Sequence, residues 1–325
     1  FLYDNYDESF ADLLYKREEI VKGGFFEYTY KNLDKLTAVA GTRLDFHNLY
    51  GTIFTPRLHI LYNATENTAL RLSAGKGFRT ANPFAEYFGN LVSSRTIRIL
   101  ENIKPEISWN YGISFTQKFK LFSKSADVTV DFYRTDFQNQ VVVDVMQSPQ
   151  ELLFYDLQGK SFANSLQVDF NVELIKHFNL RTAYKYFDIS TDYLSGSYQR
   201  PLQAKHRFFV NLEYETHIKD KGQQWKFDYT FNWLGKQQLP NTATNPEQDR
   251  LPNFSPSFGV MNAQITRTFS STFEMYVGGE NIGNYRQNKA VLGSDNPFGP
   301  NFDTSIVYAP VFGQMYYAGL RFKIK

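Results

Sequence analysis

Cysteine is absent from the 325 residues. That excludes disulfides, thiolate metal sites and cysteine nucleophiles. No apolar run approaches the roughly 18 residues a transmembrane helix needs, and mean hydropathy is −0.43. A helical membrane protein is therefore excluded, but a transmembrane β-barrel is not, because its strands are apolar on one face only and average out as polar. Charge of one sign is also missing. The formal net charge of +2 argues against an electrostatic nucleic-acid binder. The chain opens F-L-Y-D-N-Y without a leader pattern, as expected if a leader was removed or if this is the later part of something longer.

Aromatic rings are abundant: 31 Phe and 22 Tyr against 3 Trp bring the aromatic fraction to 17%. They fall in a two-residue rhythm. In S-W-N-Y-G-I-S-F-T-Q-K-F, Trp109, Tyr111, Ile113 and Phe115 alternate with Ser108, Asn110, Gly112, Ser114 and Thr116. Phe170 lies in a run that sets Leu166, Val168 and Val172 against Gln167, Asp169 and Asn171. Trp225, Phe227, Tyr229, Phe231 and Trp233 oppose Lys226, Asp228, Thr230 and Asn232, and Leu320, Phe322 and Ile324 end the last such run. This is the signature of strands with unlike faces.

About thirteen such runs occur, near 22–31, 36–46, 53–62, 68–76, 106–119, 126–136, 161–174, 180–188, 206–216, 225–234, 258–267, 273–281 and 315–324. Their lengths cluster near the ~10 residues a tilted strand needs to cross a bilayer. Short polar links at 32–35, 63–67, 120–125, 175–179, 217–224 and 268–272 alternate with long ones at 47–52, 77–105, 137–160, 189–205, 235–257 and 282–314. Up-and-down membrane barrels connect their strands in this way, with turns on the periplasmic side and loops outside the cell. A water-soluble sandwich also alternates, but tryptophans at both ends of one strand match interfacial girdles better than a core, and no propeller-blade repeat is present. The reading is an all-β antiparallel transmembrane barrel. Trp109, Tyr111, Phe115, Phe170, Trp225, Tyr229, Trp233 and Phe322 face lipid, and a wall of mixed charge faces the lumen.

L-R-L-S-A-G-K-G-F-R-T-A-N-P-F-A-E at 70–86 resembles the strand-then-loop signature of TonB-dependent outer-membrane receptors, with Gly75, Gly77, Phe78, Arg79, Pro83 and Glu86 in the motif positions. K-P-E-I-S-W-N-Y-G at 104–112, V-T-V-D-F-Y-R-T-D-F-Q-N-Q-V at 128–141 and G-G-E-N-I-G-N-Y at 278–285 are similar to further strands of that family. Y-A-G-L-R-F-K-I-K resembles its terminal insertion signal, although Ile324 stands where an aromatic is usual and Lys325 follows. The resemblance covers residues 22 to 325. It implies a 22-stranded barrel closed by an N-terminal plug domain, importing a scarce large nutrient (a siderophore-type iron chelate, cobalamin or similar) with energy from the TonB complex. Partners so implied are outer-membrane lipid, the chain's own plug, the TonB complex through an upstream segment, and the barrel assembly machinery through the last strand. Thirteen strands left open in lipid would expose two unpaired edges at a cost of tens of kcal/mol. The chain is therefore read as the C-terminal barrel portion, strands 10 to 22.

Ligand recognition is expected from the loops. Arg79, Glu86, Tyr87, Phe88, Arg95 and Arg98 lie in 77–105, a mixture suited to an anionic or aromatic chelate, although Arg79 and Glu86 could simply fix the loop. Phe154, Tyr155, Tyr193, Tyr198 and Arg200 sit in other loops, where rings could stack on a ligand or pack loop against loop. The five histidines have no i, i+2 or i, i+4 partner, and no metal or cofactor is expected. No carboxylate pairs with a nucleophile or base at a defined spacing, so catalysis has no support. Three alternatives remain open: a passive channel, a SusC-like importer of oligosaccharide or peptide, and a soluble adhesin or glycan-binding module.

Overall fold

Alternation dictates strands, and pairing register decides whether their apolar faces join. The computed structural model describes residues 1–324, apart from the side chain of Lys221, so that Lys325 lies outside the described residues. Its strands are β1 (Leu2–Phe10), β2 (Leu13–Asn32), β3 (Leu36–His47), β4 (Gly51–Thr65), β5 (Thr68–Arg79), β6 (Thr96–Ile99), β7 (Glu106–Leu121), β8 (Lys124–Asn139) and β9 (Val141–Asp144). They continue as β10 (Glu151–Asp156), β11 (Ser161–Ile175), β12 (Phe178–Tyr193), β13 (Gly196–Gln199), β14 (His206–Glu215), β15 (Gln224–Leu234), β16 (Phe258–Thr268), β17 (Phe273–Glu280) and β18 (Met315–Phe322). One antiparallel sheet runs β1-β2-β3-β4-β5-β7-β8-β11-β12-β14-β15-β16-β17-β18, with β13 folded back on β12.

Register joins the ring faces into one surface. Leu70 pairs Phe115, Phe115 pairs Val130, Val130 pairs Val168, Val168 pairs Tyr184, Tyr184 pairs Phe208, and Phe208 pairs Trp233. Paired residues share a face, so this apolar surface is continuous across the wall. None of the eight residues expected to face lipid is buried, and Tyr111, Phe115, Trp225 and Phe322 are exposed. The tightly packed core lies elsewhere, in the loops. Trp225 and Trp233 stand on this outer face at opposite ends of β15. Eight residues at ~3.4 Å rise, tilted by ~45°, give ~19 Å of height, comparable to the ~25 Å apolar band of outer-membrane barrels.

The opposite face carries the charge. Lys118 pairs Asp127, the Asn171 amide donates to Asp127 at 2.8 Å, and Lys226 meets Glu215 at 2.9 Å. Of these, Lys118, Asp127 and Asn171 line, with Arg181 and Glu213, a hollow of about 920 Å³. Arg134 and Asp136 form an ion pair at 2.5 Å on the loop-side rim.

Three expectations are corrected. The wall has one strand more than the alternation revealed: β1 pairs with the first half of β2 from Phe10↔Leu13 to Leu2↔Val21. This hairpin carries Asp4, Asn5, Asp7, Glu8, Lys16, Glu18 and Glu19 on both faces, so it lacks an apolar face to betray it. A numbering that ends at 22 would therefore begin at 9 instead of 10. The link at 47–52 is a tight turn, since His47 pairs Gly51. The loops also hold a second sheet, β6-β10-β9, whose four- to six-residue strands are too short for a period to show.

Candidate functional site

The loop-side rim is built around one ion-pair knot. Arg79 ends β5 directly opposite Glu106, which begins β7, and the two are ion-paired. The other side of Arg79 meets Glu86 at 2.8 Å, and Glu86 in turn accepts the Asn82 amide at 2.9 Å. Glu106 is buried and accepts the Val141 amide at 3.1 Å, where β8 passes into β9. Three of the quoted sequence stretches thus converge on a single point. From the β1–β2 hairpin, Glu8 accepts the amides of Phe84 (3.2 Å) and Ala85 (2.5 Å), and Arg17 donates to the Asn82 side chain at 2.7 Å. The segment Asn82–Glu86 is pinned from both sides.

Above the knot the loops pack on one another. Ala81, Phe84, Leu91, Ile103, Val141, Val145, Met146, Leu152 and Phe154 form a buried cluster, with Tyr87, Tyr193 and Tyr198 against it. Leu239, Leu292 and Ile306 form a second cluster. Arg95 is buried and joins three loops, meeting Asp303 at 3.0 Å and donating to the carbonyls of Ser148 and Glu151. Asp249 ties 235–257 to 281–314 through Lys289 at 2.8 Å and the Gly293 amide at 2.9 Å. Together the loops make a packed cap over the lumen wall.

The residues expected to bind ligand divide accordingly. Arg79 and Glu86 face each other in the knot. Arg95 is a buried strut. The Tyr155 hydroxyl donates to Asp144 at 2.8 Å and accepts the Leu194 amide at 3.0 Å, while its ring is fully buried. Phe88 is 64% exposed. Tyr198 packs on Tyr193 at 6.0 Å and donates to the Ser195 carbonyl. Arg98 is exposed and meets Glu151 at 3.2 Å.

Tyr87 and Arg200 come together. With Asn90, Gln140, Thr191, Tyr193 and Ser305 they line a cleft of about 210 Å³ where the cap meets the inner wall. Tyr87 packs edge-on to Phe154 at 5.8 Å. Burial pushes the Tyr87 phenol above its usual range, with Glu106 and Glu86 adding to the effect and Arg200 opposing it. Burial and then Asp144 raise Tyr193 likewise. A phenol keeps its proton at neutral pH in any case, so both hydroxyls are available as donors. Arg200 has no carboxylate within ion-pair distance among the described residues. A cleft offering two phenol donors and an unpaired guanidinium suits an anionic oxygen ligand with an aromatic body. Sequence reasoning missed Asn90, Gln140, Thr191 and Ser305, ordinary polar residues that only the folding of four loops brings together. The His177 and His217 rings lie 6.2 Å apart, tilted at 54°, on neighbouring turns, and among the described residues no group of three or more metal-ligating side chains occurs.

The family profile described as "TonB dependent receptor-like, beta-barrel" matches residues 1–282. The probable TonB-dependent siderophore receptor PirA of Acinetobacter baumannii is 21% identical to this chain over 354 positions, spanning 94% of the chain and 43% of that protein. A variant of the ferric enterobactin receptor PfeA of Pseudomonas aeruginosa, solved in complex with enterobactin, superposes with a TM-score of 0.67 at 15% identity. The superposition covers 94% of this chain and 45% of that one. FpvA of P. aeruginosa bound to a heterologous pyoverdine gives 0.64 at 12%, over 96% of this chain and 39% of its own. The chain thus spans less than half the length of these relatives. Profile, register and loop pattern agree: the chain belongs to the TonB-dependent receptor family, whose β-barrel in the bacterial outer membrane it helps to build.

Proposed function

We propose that this chain is the C-terminal wall and extracellular cap of a receptor that imports a ferric siderophore, or a similar scarce chelate, with energy drawn from TonB. The observation that carries the reading is the cleft of Tyr87, Tyr193 and Arg200 at the junction of cap and lumen. A passive pore gains nothing from loops tied together by buried ion pairs such as Arg95–Asp303. A capture site for a large ligand needs such loops held rigid. The names of PirA, PfeA and FpvA, which concern siderophores, favour an iron chelate over cobalamin, oligosaccharide or peptide.

In this reading β1 and β18, each paired on one side only, complete their hydrogen bonding with further strands of a 22-stranded barrel. A plug domain occupies the polar hollow, its upstream segment contacts TonB, and β18 engages the barrel assembly machinery. The test is uptake of labelled iron as a catecholate or pyoverdine-type complex by cells carrying the intact gene, its deletion, or Arg200→Ala. The expected outcome is uptake that requires both the gene and TonB and falls about ten-fold in Arg200→Ala, the loss of one charged contact of ~1.4 kcal/mol. Uptake independent of TonB, with steady conductance in planar bilayers, would establish a passive channel instead.

A further inference from the structure

The outer face of the strands carries two arginines, at opposite rims. Arg134 is neutralised: its guanidinium takes both carboxylate oxygens of Asp136 and donates to Asn164. Arg267 is different. It lies one residue from the end of β16 at the short-turn rim, paired across the strand with Trp225. No hydrogen bond or ion pair engages its guanidinium among the described residues, although the residue is half-buried.

What holds it is aromatic. The guanidinium lies 5.0 Å from the Trp225 ring centre and 5.6 Å from that of Phe269. These two rings belong to a row along the rim. Phe178 packs on Tyr214, Tyr214 on Phe227 and Phe227 on Trp225, and beyond the arginine Phe269 packs on Phe273 and Phe273 on Phe322. Arg267 is spliced into the row as its cation. Such rows mark the depth of lipid headgroups, where phosphate is the acceptor a guanidinium matches with two parallel hydrogen bonds. Rings hold the cation of Arg267, and its N–H groups donate to no protein acceptor among the described residues.

We propose that Arg267, clamped by Trp225 and Phe269, binds the phosphodiester of a phospholipid in the periplasmic leaflet. The site rests on the barrel reading but concerns the lipid side of the wall, remote from the cleft. It is tested on the native protein, extracted, delipidated in detergent and titrated with phosphatidylglycerol under native mass spectrometry. One lipid should be retained more tightly than the rest, about five-fold more weakly in Arg267→Gln, intermediate in Arg267→Lys, weakened in Trp225→Leu and unchanged in Arg134→Gln. Inorganic phosphate in excess should not displace it. Equal retention by wild type and Arg267→Gln overturns the proposal, and so does displacement by phosphate, which would mark a simple anion site. The electrophoretic shift on boiling, read for each variant, separates a lost lipid site from a barrel that fails to form.

Discussion

At the residue scale, three residues show why particular letters stand in the family-like stretches. Glu106 is one: its carboxylate serves Arg79 and the Val141 amide together. Arg79 is half exposed, so solvent screens its share, but the buried Val141 amide would be left without an acceptor. Glu106→Ala is expected to cost about 1–3 kcal/mol, read as faster tryptic cleavage at Arg95 and Arg98 with the barrel intact. Asn281 is another. It holds φ 49°, where asparagine is tolerated better than most residues, and its side-chain amide donates to the carbonyls of Tyr285 and Phe312. Asn281→Ala should destabilise by about 2 kcal/mol through those orphaned carbonyls, measured by urea unfolding in micelles. Gly319 is the third. A Cβ there would fall 2.3 Å from the Tyr276 ring, and one at the neighbouring Gly278 would fall 2.4 Å from Tyr317. Each tyrosine lies across the other strand's glycine, which accounts for a glycine at both positions.

At the scale of elements, the loops act as one body because carboxylates bridge them. Asp249 is buried, and the hydrogen bonds from Lys289 and the Gly293 amide hold its carboxyl below the usual carboxylate range. A depressed folded-state value contributes stability above the unfolded value of ~3.9 and loses it as pH falls through the folded value. Contact between 235–257 and 281–314 is therefore expected to be constant from pH ~8 to ~5 and to loosen only below ~4. Hydrogen exchange at Leu292 and Asp303, whose amides bond each other's carbonyls, measures this. Asp249→Asn should remove the dependence while raising exchange at neutral pH.

Across the whole molecule, the continuous apolar face sets what can be changed. Val130 lies at mid-strand on the outer face, between Phe115 and Val168. Lysine there should cost about 2–4 kcal/mol in a bilayer. Thr129, its neighbour on the inner face between Thr116 and Asp169, should accept lysine at less than ~1 kcal/mol. Unfolding in lipid vesicles compares the two. Equal costs would mean that the rings face protein instead of lipid.

Alternation alone determined the strands from β2 to β18 that span the wall, because a bilayer demands an apolar side chain at every second position and register then has little freedom. It also determined which side of each strand carries the continuous apolar face, including Trp225 and Trp233. Tertiary structure alone decided the β1–β2 hairpin, the β6-β10-β9 sheet and the cleft. Those parts stand in water and in contact with one another, where no solvent imposes a period. Arg95 and Arg200 read alike in the sequence, as loop arginines near aromatics. One became a buried strut and the other an open cation only because Asp303, 208 positions away from Arg95, folds back to meet it.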